Sequence, residues 1–182
     1  MKYNPLLHHR KSTRLTGYDY SLAGAYFITL CTQHRRCIFG EVINGEMVLN
    51  KYGQIAYDEW LKTPEIRPNV LLDVFVVMPN HMHAIIVSID EKTDDHQVTP
   101  NAFVERTEYP VPFRSPSKTV GAVVRGYKST VTKQIHALNF EGQVWHRNYH
   151  DHIIATEQSY KNISNYIVNN PQKWSEDKFY RK

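Results

Sequence analysis

The segment Val74-Phe-Val-Val-Met-Pro-Asn-His-Met-His-Ala-Ile-Ile-Val87 constrains the fold more than any other part of the chain. Apolar, mostly β-branched residues flank Pro79-Asn80. That pattern predicts two strands, Leu71–Met78 and His81–Val87, joined by a tight turn and paired back as a hairpin. Two histidines interrupt the apolar run. Side chains alternate along a strand, so His81 and His83 share a face, with Cα atoms roughly 7 Å apart. Met82 between them turns to the other face and can pack into a core. Two imidazoles at this spacing can converge on one metal ion; unpartnered rings among Val, Ile, Phe and Met would be costly. A hydrogen-bonded or solvent-facing pair is the competing reading, and the spacing alone does not separate the two. A second pair, His150 and His152, shows how weak the bare pattern is, because Asp151 between them packs inward only with a partner.

The 182 residues are read as one domain, 1–182, long enough for a core. Hydrophobic residues at 41% and charged residues at 22% are ordinary for a soluble globular protein. A formal net charge of +4 is compatible with a polyanionic partner without requiring one. Cys31 and Cys37 match no C-x-x-C spacing and suggest no disulfide scaffold. No apolar run approaches the ~20 residues that span a bilayer. No apolar signal-peptide core opens the chain, so the expectation is a cytoplasmic protein with no membrane partner.

Residues 1–20 carry His8, His9, Arg10, Lys11 and Arg14. They are either a solvated tail or an arm lying along a phosphate backbone. Ala25–Thr32 reads as a buried strand, with His34-Arg-Arg36 at its end. Ile38–Val42 and Met47–Leu49 flank Asn44-Gly45, a hairpin signal. Lys51–Thr63 has helical spacing and ends at Pro64. Residues 88–117 lose periodicity and are expected to form an exposed loop. Lys118–Leu138 is expected to be a helix with Val120, Val124, Tyr127, Val131 and Ile135 on one stripe. Lys118, Arg125, Lys128 and Lys133 lie off that stripe, as a solvated basic face or one that tracks phosphates. Val144–Ala155 reads as a strand. A last helix follows the candidate N-cap Thr156 and stops before Pro171. Without the hairpin insertion the order is β-α-β-β-α-β. The predicted class is α+β: a ferredoxin-like split antiparallel sheet with helices on one face, plus a C-terminal helix.

That last helix carries Tyr160, Ile163 and Ile167 on a core-facing stripe, and Asn162, Tyr166 and Asn170 along a polar flank. A phenol and an amide one turn apart can reach a common point in front of the helix. If the sheet presents His81 and His83 there, Tyr166 supplies a nucleophilic oxygen and Asn170 a neutral oxygen ligand. Among 12 tyrosines, one that merely caps the core is the alternative.

Several blocks now coincide: Gly24-Ala-Tyr-Phe-Ile-Thr29, Val76-Val-Met-Pro-Asn-His-Met-His83, Val144-Trp-His-Arg-Asn-Tyr-His-Asp-His152, and Tyr160 through Tyr166 to Asn170-Pro171. Together they resemble the REP-associated tyrosine transposases of the single-tyrosine HUH superfamily, named for His-hydrophobic-His, here His81-Met82-His83. The resemblance implies a metal-dependent nuclease that acts on single-stranded, hairpin-containing DNA as a monomer or homodimer. It implies that His81, His83 and Asn170 bind Mg²⁺ or Mn²⁺, with Mn²⁺ the better match to imidazole. It implies that Tyr166 attacks the scissile phosphorus, leaving a 5′-phosphotyrosine linkage and a free 3′-hydroxyl that a second strand can use for rejoining. Arg10, Lys11, Arg14, Arg125, Lys128 and His152 are the expected DNA contacts. Tyr160 is the alternative nucleophile; its place on the apolar stripe favours Tyr166. A replication-initiator or relaxase-like nickase, or a non-catalytic hairpin-binding protein, are the competing functions.

Overall fold

A computed structural model describes residues 22–89 and 119–181. Its strands are β1 (Gly24–Cys31), β2 (Gly40–Ile43), β3 (Glu46–Leu49), β4 (Val70–Met78), β5 (His81–Ser88) and β6 (His150–Ile154). Its helices are α1 (Lys51–Leu61), α2 (Thr63–Ile66), α3 (Val120–Ala137) and α4 (Glu157–Val168). Four strands form one sheet in the order β4-β5-β1-β6, every neighbouring pair antiparallel. With the β2–β3 hairpin set aside, this is the split β-α-β-β-α-β arrangement that the sequence predicts.

Strand alternation sorts the sheet into two faces. Tyr26, Ile28 and Leu30 of β1 and Met82, Ala84 and Ile86 of β5 are fully buried or nearly so, and they pack with Val120, Val124, Tyr127, Val131 and Ile135 of α3 and with Ala56 and Trp60 of α1. The opposite face holds Phe27, Ile85 and Ile154, which pack against Tyr160, Ile163 and Ile167 of α4. The two crossover helices thus cover one face and α4 covers the other, the face that carries His81 and His83.

Local chemistry fixes the element ends. Asn50 caps α1, its Oδ1 accepting from the N–H groups of Tyr52 and Gly53 at 2.9 and 3.1 Å. Gly53 sits where a Cβ would come 2.0 Å from the Phe39 carbonyl oxygen, so α1 packs this close to Phe39 only because position 53 carries no side chain. Asn44 and Gly45 both have positive φ, 52° and 81°, the two-residue turn that an Asn-Gly pair favours. Thr156 caps α4 as predicted, accepting from Ser159 N–H at 3.1 Å. Thr119 does the same for α3 through Ala122.

Three expectations need correction. Pro64 does not end the first helix; α1 stops at Leu61, and Pro64 lies in the first turn of α2, where its missing N–H costs nothing. Of Val144–Ala155, only His150–Ile154 is strand. Val144 and Trp145 are buried at the end of β1, where Trp145 makes a single bridge to Thr32. Ser88 is the last residue of β5, not the start of a loop; the remainder of the expected 88–117 loop beyond Ile89 lies outside the described residues, as does the basic arm 1–20. No helix among the described residues is long and apolar enough to cross a membrane.

Candidate active site

The β4–β5 turn sets the histidines. His81 pairs with Met78 on one side and Cys31 on the other; His83 pairs with Val76 and Thr29. Both are fully buried or nearly so, at 0% and 1% exposure, and their ring centroids lie 4.5 Å apart. Asn80, itself fully buried, fixes the first ring. Its NH2 group donates to the carbonyls of Phe179 (2.8 Å) and Arg35 (3.2 Å), so its Oδ1 is the atom 2.9 Å from His81 Nδ1. Nδ1 must therefore carry the proton, and Nε2 presents a lone pair. His83 Nδ1 lies 2.9 Å from Thr29 Oγ1, a hydroxyl that can either donate or accept, so it holds the ring in place for both tautomers.

Burial keeps both imidazoles uncharged. Desolvation pushes His81 down to about 4 against the opposing pull of Asp177, and it pushes His83 well below the ordinary range with help from the neighbouring His81 and Lys178. A neutral ring can offer a metal ion a lone pair.

α4 brings Tyr166 to this point. Its hydroxyl lies 3.1 Å from His83 Nε2 and 3.1 Å from Asp177 Oδ2. Burial, and then the Asp177 charge, raise its affinity for the proton well above that of a free phenol. Asn170 is buried at 1% exposure, and its NH2 donates to the same Asp177 oxygen at 2.8 Å. Among the described residues its own Oδ1 has no hydrogen-bond partner, and neither has His81 Nε2. Two buried acceptors left without a proton between them is a costly arrangement that a cation would relieve.

Asp177 is the residue that sequence reasoning missed. It follows the 3₁₀ turn Trp174–Glu176, and one carboxylate oxygen lies within 4.8 Å of ligand atoms on both His81 and His83. Trp174 and Phe179 bury themselves against Met78, and the Phe179 ring stands 4.6 Å from His81 and 5.8 Å from His83. The available signal was an Asp between two aromatics beyond the helix stop Pro171, the pattern of a segment that folds back.

The other expected residues fall in different places. Tyr160 is turned away: its hydroxyl donates to Asp73 at the irregularity in β4, and its pKa is pushed up to about 12 by burial and that carboxylate. His152 pairs with Phe27 and shares the histidine face, exposed on the edge strand. Asp151 points to the other face, and among the described residues both its buried oxygens have no hydrogen-bond partner. α3 lies across the sheet from the histidines, so Arg125, which is exposed, is not brought to them. Lys128 is no member of a solvated face. Its ammonium donates to the carbonyls of His146 (2.8 Å) and Asn148 (3.0 Å), and burial lowers its pKa to about 8. Arg10, Lys11 and Arg14 lie outside the described residues.

No family model matches the chain. Among solved structures, a REP-associated tyrosine transposase bound to a REP hairpin superposes with a TM-score of 0.56 at 21% identity, over 90% of this chain and 74% of that one. The chain therefore shares its fold with that transposase, in line with the resemblance of the motifs. An uncharacterized protein of Haemophilus influenzae is 40% identical over 179 residues, 98% of this chain and 97% of that protein. The chain belongs to the same family as that protein.

Proposed function

We propose that this protein is a transposase-like enzyme: a divalent-metal-dependent single-stranded DNA transesterase that cleaves and rejoins hairpin-containing DNA through Tyr166. The observation that carries the reading is the Tyr166 hydroxyl held 3.1 Å from His83 Nε2, beside two buried, unpartnered acceptors. The fold shared with a transposase supports it.

His81, His83 and Asn170 would hold a metal ion through His81 Nε2, Asn170 Oδ1 and, once the Tyr166 hydroxyl gives way, His83 Nε2. Mn²⁺ or Mg²⁺ bound there would supply Lewis-acid polarisation of the scissile phosphate. Tyr166 is 39% exposed, so the nucleophile lies at the surface where a strand can be laid across the site. In the proposed step the Tyr166 oxygen forms a bond to phosphorus and the bond from phosphorus to the 3′ oxygen breaks. The phenol proton leaves the tyrosine, for which Asp177 Oδ2 is an acceptor already in contact, and the departing 3′ oxygen gains a proton. The strand then carries its 5′ phosphate on Tyr166. The reverse attack by another strand's 3′-hydroxyl rejoins DNA and frees the tyrosine. Tyr160 takes no part, because its hydroxyl is committed to Asp73.

The test is cleavage of a labelled hairpin oligonucleotide with a single-stranded flank, with and without Mn²⁺ or Mg²⁺. Cleavage should require the ion and should be lost in His81→Ala and His83→Ala proteins that retain a cooperative melt. Full cleavage in excess chelator would rule the reading out.

A further inference from the structure

Asp177 has the position of a third metal ligand beside His81 and His83. Its hydrogen bonds point to a different role. Oδ1 accepts from the Phe179 backbone N–H at 2.7 Å, and Oδ2 accepts from both Tyr166 Oη (3.1 Å) and Asn170 Nδ2 (2.8 Å). A carboxylate offers about four acceptor positions, and three are taken. The atoms of this site left without a partner among the described residues are instead His81 Nε2 and Asn170 Oδ1.

We infer that Asp177 is a positioning residue: it fixes the Asn170 amide so that Oδ1, and not the NH2 group, faces the histidines. An ionised carboxylate only accepts hydrogen bonds, so it binds the NH2 end of the amide and turns the oxygen the other way. The carboxylate that takes the NH2 end, at 2.8 Å, has an oxygen within 4.8 Å of ligand atoms on both histidines. Without Asp177 the buried amide would turn its NH2 toward the His81 lone pair, satisfying both groups and closing the ligand position. The last structured turn of the chain thereby converts an ambivalent side chain into an oxygen donor. This inference rests on the metal reading of the proposed function and adds the residue that sets its third ligand.

The test is Mn²⁺ affinity, read from the free-ion EPR signal. Asp177→Ala should weaken binding about 10- to 100-fold, as loss of an outer-shell partner typically does. Asn170→Asp in the Asp177→Ala background should restore it to within about 3-fold, because a carboxylate presents oxygen whichever way it turns. Both variants lack the bond to Phe179 N–H, so recovery in the second excludes simple unfolding as the cause in the first. A crystal structure with Mn²⁺ located by anomalous scattering should place Asn170 Oδ1 on the ion and Nδ2 still on Asp177. Unchanged affinity in Asp177→Ala, or an Asp177 oxygen bonded directly to the ion, would overturn the inference. If the intact chain binds no Mn²⁺, the metal reading itself has failed. The orienting role is then decided on metal-free protein: the Asn170 side-chain amide protons should exchange slowly in the wild type and rapidly in Asp177→Ala, and equal exchange would overturn it.

Discussion

Asn80→Ala should damage the protein far beyond what a turn residue would. The side chain is fully buried and makes three hydrogen bonds: to Phe179 O, to Arg35 O and with His81 Nδ1. Truncation strands the Phe179 carbonyl and the Nδ1–H in the interior, each at about 1–3 kcal/mol, and loses about 1 kcal/mol more at the half-buried Arg35 carbonyl. The sum is about 5 kcal/mol, which for a chain of this size lowers Tm by roughly 10–20 °C. His81 would also be free to change tautomer, so Mn²⁺ affinity should fall about 10-fold or more. Differential scanning calorimetry in chelator gives the stability, and EPR titration gives the affinity. Asn80→Asp is the sharper variant, since its carboxylate could keep His81 but would place lone pairs against both carbonyls; it should be no more stable than Asn80→Ala. A Tm within about 3 °C of wild type for Asn80→Ala would refute the bridging role.

Further outcomes follow from the same geometry. Tyr160→Phe removes the hydroxyl that binds Asp73 and should cost about 1 kcal/mol by chemical denaturation while leaving DNA cleavage intact; lost cleavage would return Tyr160 to consideration. His81, neutral down to about 4 when folded, takes its proton near 6.5 when unfolded, so its stabilising share is complete above that range and is lost as pH falls toward 4. Stability of the chelated protein should fall by up to about 1.4 kcal/mol per pH unit for each such histidine, and a flat profile between pH 6.5 and 4.5 would contradict the buried, neutral assignment. Arg10→Ala/Arg14→Ala should flatten the log–log salt dependence of single-stranded DNA binding by about 0.7 per lost phosphate contact; an unchanged slope would make the arm a solvated tail.

The parts of this fold written in short-range pattern were readable from the sequence. The alternation around Met82 placed His81 and His83 on one face, and helical spacing separated Tyr166 from the core stripe of Tyr160, Ile163 and Ile167. Asn44-Gly45, Thr156 and the order of elements likewise carry their own local physics. What depends on long-range closure was not readable. Asn80 looked like a turn residue, yet its amide ties Arg35 and Phe179 to His81 across the fold. Asp177 lies in a segment without periodicity, and its meaning comes from Trp174 and Phe179 folding back over β4 and β5. Lys128 looked like one cation of a solvated face because nothing in the helix reveals that the 146–148 carbonyls reach its ammonium.

The central claim is that Tyr166 forms a covalent bond to DNA. The most direct measurement is to incubate the protein with a 5′-labelled and, separately, a 3′-labelled hairpin oligonucleotide in Mn²⁺, denature, and map any adduct by peptide mass spectrometry. The account predicts an adduct retaining only the strand 3′ of the cleavage site, on the peptide containing Tyr166, absent in Tyr166→Phe and in chelator. An adduct on Tyr160, on a residue outside α4, or through a 3′ phosphate would contradict it.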